Sequence, residues 1–66
     1  MKQYFVSYVE GMIQDLVRYK HEWIKSSDND KVIIETEIRE RFANFSEDNL
    51  SDKPDLQLFF HQIMNK

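Results

Sequence analysis

Two histidines, His21 and His61, and twelve Asp and Glu side chains are the residues of this 66-residue chain best suited to chemistry. A histidine beside a carboxylate can move a proton or hold zinc. His21-Glu22-Trp23-Ile24-Lys25 opens like the zinc metalloprotease helix, where two ligand histidines stand four residues apart around a glutamate base. Lys25 occupies the place of the second histidine, so the motif fails. Spacing alone does not rule out a zinc site built from His21, His61 and a carboxylate, but a histidine on a polar helix face is usually just solvated. Asp28-Asn29-Asp30 begins like a calcium loop. The glycine of such a loop and its closing bidentate glutamate are missing, which leaves a helix-capping turn. Gly11 is the one glycine, so there is no glycine-rich phosphate cradle. Asn44-Phe45-Ser46 has the glycosylation spacing, which carries weight only in a secreted chain. With no cysteine, thiolate catalysis, disulfides and cysteine-based zinc sites are excluded. These residues predict a protein that is not an enzyme and uses no cofactor and no metal.

Charge points the same way. Nine Lys and Arg against twelve Asp and Glu leave a net charge of -3. A nucleic-acid binder gains affinity from basic residues that release counterions from phosphate, so direct nucleic-acid binding is disfavoured. Arg18, Lys20, His21 and Lys25 form a modest basic end and keep a nucleic-acid-binding regulator as an alternative. The carboxylates Glu47, Asp48, Asp52 and Asp55 cluster in one short stretch. They read either as a solvated loop ahead of a helix N-terminus or as an acidic patch that docks on a basic protein surface, including one that normally holds DNA.

The elements that must position these residues are helices. Phe5, Val9, Met12, Leu16, Tyr19 and Trp23 recur at spacings of four and three, which predicts a helix over 3–25. A second seam, Val6, Ile13, Val17 and Ile24, lies about 100° around from the first. Lys20 projects toward this broad apolar arc. The arc is wider than one partner helix covers. Either two other helices of the chain cover it, or part of it meets another molecule. Ser27 and Asp30 predict an N-cap for a second helix over 30–45, with Ile34, Ile38, Phe42 and Phe45 on one face. Glu35 with Arg39, and Glu37 with Arg41, are spaced for ion pairs along that helix. The alternation Val32, Ile34, Thr36, Ile38 also fits a strand, so helix and strand both stay open over 31–38. Residues 46–54 form a break, Asp52 or Ser51 is the expected cap, and Pro54 suits a first helical turn. Leu56, Phe59, Phe60, Ile63 and Met64 predict a short amphipathic third helix.

The fold expected is therefore all-α: one domain over 1–66, a three-helix bundle with a long first helix, a second antiparallel to it and a short C-terminal third. No apolar run approaches the roughly 18 residues of a membrane span. Small secreted domains usually carry disulfides, so a cytoplasmic setting is expected. Below about 70–80 residues one core seldom yields more than roughly 3–5 kcal/mol, which favours tight packing or association with another chain. Val32, Ile33 and Leu58 point off the apolar faces, and Tyr4 and Tyr8 flank the first. These five residues, with the acidic Glu47, Asp48, Asp52 and Asp55, form the expected protein-binding set. The function expected is a small regulator or inhibitor that binds another protein, with homodimer formation in view. An obligate homo-oligomeric assembly subunit is the other alternative.

Overall fold

The computed structural model describes residues 2–65, with side-chain surroundings from Tyr8 onward. Its elements are α1 (Lys2–Lys25), α2 (Asp28–Arg41), a 3-10 turn (Glu47–Leu50) and α3 (Pro54–Met64), with no strand among the described residues. The open choice over 31–38 thus falls to helix. Ser27 caps α2, its hydroxyl accepting from the Asp30 N–H at 3.4 Å, and Asp28 and Asp30 sit in the first turn against the helix dipole. The Thr36 hydroxyl folds back onto the Val32 carbonyl at 2.9 Å, so the β-branched residue is accommodated inside the helix.

Three boundaries differ from the sequence expectation. Helix α2 stops at Arg41 because Phe42 leaves helical geometry, with φ -103° and ψ 19°. The turn that follows brings the Phe45 N–H onto the Phe42 carbonyl at 3.0 Å, and Phe45 stays in the core without being helical. The expected break over 46–54 contains the 3-10 turn, capped by Ser46 and holding a fully buried Leu50. Neither Asp52 nor Ser51 caps α3. Lys53 stands at that position with no side-chain cap bond, and Pro54 occupies the start of the helix.

Contacts fix the topology. Asp15 pairs with Arg41, Tyr19 meets Phe42 and Trp23 meets Glu35, so α2 runs antiparallel to α1. Phe42 meets Phe60, and the Arg39 guanidinium donates to the Ile63 carbonyl at 3.2 Å, so α3 turns back along α2. That last bond also satisfies a carbonyl that the end of a helix leaves without a partner. The core is Met12 and Leu16 from α1, Ile38 from α2, Phe42 and Phe45 from the turn, Leu50, and Leu56, Phe59, Phe60 and Ile63 from α3. Of the first seam of α1, Met12 and Leu16 are buried and Val9, Tyr19 and Trp23 pack against the core, while Phe5, like Val6 of the second seam, lies outside the residues whose side chains are described. Of the second seam, Ile13 packs against the core while Val17 and Ile24 remain 39% and 59% exposed.

Glu35 is the main departure. Spacing marked it as a surface partner of Arg39, yet it is only 4% exposed and accepts from the Trp23 indole N–H at 2.8 Å. Above the Trp23 ring stands the Lys31 ammonium, 4.5 Å from the centroid. Arg41 reaches across to Asp15 on α1. Helix α1, at 24 residues, is about 36 Å long, and α2, at 14, about 21 Å. The first turns of α1 therefore run past the end of α2, consistent with overall extents of 41 × 19 × 18 Å. Gly11 lies in this stretch, and a Cβ there would meet nothing within 4 Å, so no close helix approach requires it.

Two stability measurements check this account. Glu35→Ala strands the Trp23 donor and is expected to cost about 1–3 kcal/mol in denaturant unfolding, with Glu35→Gln costing less because it keeps an acceptor. Gly11→Ala is expected to stabilise the fold by up to about 1 kcal/mol, and a loss instead would show that the glycine has a contact.

Candidate functional site

The described surface carries exposed apolar side chains in distinct places. On α1 and α3 an open groove of about 440 Å³ is lined by the apolar Val17, Ile24, Leu56 and Pro54. Lys20, His21 and Lys53 also line it, with Asp55 as the single carboxylate. On α2, Val32 and Ile33 are 58% and 60% exposed. On α3, Leu58 is 59% exposed and shares a shallow depression with Glu47, Gln57 and His61.

The residues expected to bind protein are thus only partly gathered. Leu58 and Glu47 come together, with Asp55 on the same helix as Leu58. Val32 and Ile33 form a separate pair. Tyr8 is exposed but precedes Trp23 by fifteen residues, about 22 Å of helix, whereas Val32 and Ile33 flank the Trp23–Glu35 level. Tyr4 lies outside the residues whose side chains are described.

Within the acidic stretch the carboxylates differ. Glu47 Oε1 lies 3.2 Å from His61 Nδ1. Asp52 accepts from the Lys53 ammonium at 3.2 Å. That hydrogen bond, helped by the Asp52 backbone N–H and the lysine charge, holds the Asp52 carboxyl below its ordinary pKa. Asp48 and Asp55 are exposed and form no ion pair among the described residues. The basic end is also divided: Arg18 lies 3.6 Å from Asp15, while Lys20 and His21 line the groove. Among the described residues no group of three His, Asp or Glu is placed to hold a metal ion, and no helix is long and apolar enough to cross a membrane.

Sequence reasoning missed the groove as a site. Its signal was present in the second seam of α1, where Lys20 follows Val17 by three residues and precedes Ile24 by four. What periodicity could not supply was the place where the start of α3 comes to rest. Comparisons with protein-family models, with curated protein sequences and with solved structures found no match. These surfaces therefore carry the functional reading by themselves.

The Asp52 contact is checked by NMR titration. Its lowered folded pKa means that the contribution of the contact to stability is present above the ordinary carboxylate pKa and fades as pH falls through the lowered value. Lys53→Ala is expected to return the Asp52 midpoint toward that of a free aspartate, and an unmoved midpoint would refute the assignment.

Proposed function

We propose that this chain is a small regulatory or inhibitory protein that does no chemistry of its own and acts by docking on another protein. The observation that carries the reading is Leu58, a large aliphatic side chain 59% exposed on α3, in a depression it shares with Glu47 of the acidic stretch. An exposed leucine alone is ordinary. Here it stands beside Glu47, with Asp55 at the start of the same helix. Asp48 and Asp55, free of internal ion pairs among the described residues, keep their charge for an outside partner.

The mechanism is steric and electrostatic. The carboxylates steer the chain toward a basic surface and raise the association rate, and the apolar contact slows departure. A basic protein surface that normally holds nucleic acid is one such target, since a docked acidic chain would occupy the place of the polyanion.

Capture of partners on immobilised protein tests the reading. The wild type is compared with Leu58→Asp and with the Asp48→Lys, Asp55→Lys double variant. The expected result is a protein whose retention falls at least tenfold with both variants and weakens as salt rises. Equal retention of every captured protein by all three would sink the proposal.

A further inference from the structure

We infer that His61 is a proton-operated latch on the Leu58 depression: charged, it holds Glu47 through Nδ1, and neutral, it gives that nitrogen to Asn65 and frees Glu47. The effect on docking rests on the function proposed above, whereas the exchange of partners does not.

Two contacts compete for one nitrogen. Nδ1 of His61 lies 3.2 Å from Glu47 Oε1 and 3.3 Å from Asn65 Nδ2. A ring nitrogen has one in-plane position, which holds either a proton or a lone pair. A carboxylate only accepts, so the Glu47 contact needs a proton on Nδ1. An amide NH2 only donates, so the Asn65 contact needs the lone pair. The two bonds therefore exclude each other. Asn65 keeps its place in either state, because its Nδ2 has a second hydrogen and donates to the His61 carbonyl at 2.8 Å. Nε2 has no partner among the described residues, so it is free to hold the single proton of the neutral ring.

The surroundings make that proton count. The depression that His61 shares with Pro54, Gln57 and Leu58 has Glu47 as its one carboxylate and contains no lysine or arginine. Of the other charged groups nearby, Asp52 and Lys53 hold each other, and Arg39 of α2 bonds the Ile63 carbonyl. Asp48 and Asp55 form no ion pair among the described residues. The formal charge of the depression is thus zero with His61 charged and one negative with it neutral. The backbone has no need to move. Leu50 is fully buried and Ser46 caps the 3-10 turn, which anchors Glu47 in both states. The His61 and Glu47 side chains are 56% and 41% exposed, so the proton exchanges directly with solvent. Histidine is the side chain that ordinarily changes charge between about pH 5 and 8. A basic partner would meet the full acidity of this surface at the upper end of that range and a weakened surface at the lower end.

NMR of the whole chain across about pH 5–8 tests the latch in the wild type, Asn65→Ala and His61→Gln. In the wild type the neutral ring is expected to carry its proton on Nε2. The Glu47 carboxyl carbon and the Asn65 side-chain amide should move with the same midpoint as His61, while the helical circular dichroism stays constant. Asn65→Ala should raise the Nδ1–H share of the neutral ring at least about twofold, and His61→Gln should remove the step at Glu47. A neutral ring that keeps its proton on Nδ1 overturns the inference. So does a Glu47 carboxyl carbon that ignores the titration of His61, or a tautomer ratio unmoved by Asn65→Ala. The effect on docking is read with an oligolysine peptide, a basic probe whose own charge is constant over this range. It is expected to bind about two- to fivefold more tightly above the His61 midpoint than below it, and equally in both conditions to His61→Gln. Binding to the wild type without that change refutes the gating of the surface. A peptide that binds in neither condition counts against the docking reading, and the NMR series still decides the latch.

Discussion

Phe42 is the residue on which the helices converge. It has no exposed surface, and its ring meets Tyr19 of α1 at 6.3 Å, Phe45 of the following turn at 5.4 Å and Phe60 of α3 at 5.8 Å, all edge-on. Phe45 and Phe60 also touch each other at 5.8 Å, so three of the rings form a closed set. Edge-to-face pairs at these separations are worth about 0.5–1.5 kcal/mol each beyond the area they bury, a substantial gain for a chain of this size. Phe42 leaves helical geometry at the end of α2, and the turn that follows holds Phe45 against its ring.

The other end of the bundle is closed by a polar contact. Trp23 brings a large apolar ring with one donor, and a partly buried donor needs an acceptor. Glu35 supplies it from α2, while Phe59 of α3 meets the same indole edge-on at 5.3 Å. One side chain of α1 is thereby held by both other helices. Placing Lys31 over that ring and Arg39 on the end of α3 also draws these two cations of α2 toward its neighbours, while Asp28, Asp30, Glu37 and Glu40 stay exposed and Glu35 alone of its carboxylates is buried.

The helices were legible because their signals were local. Spacings of three and four, Ser27 ahead of α2 and Pro54 at the start of α3 mark them without knowledge of the fold. The residues misread were those whose environment is set by a distant partner. Glu35 shares the three-and-four rhythm of Ile38, Phe42 and Phe45, but its charge suggested the surface until Trp23 supplied a reason to bury it. Leu50 sits among polar residues with no periodic neighbours, so nothing local distinguished it from loop. The exposed side chains Val32, Ile33 and Leu58 were found as residues off the helical faces, but their division into separate places depends on how the helices pack.

The link between α1 and α2 is only Ser26 and Ser27, and α3 lies against the helix before it. Closing such short loops costs little chain entropy. Helical bundles with this kind of connectivity fold in microseconds to milliseconds. A chain with a modest margin of stability and so low a barrier crosses to the unfolded state and back many times in its lifetime. When reclosing outruns cleavage, its survival among proteases is set by the fraction open at any instant and not by how fast it opens. Anything that covers this molecule therefore also lengthens its life.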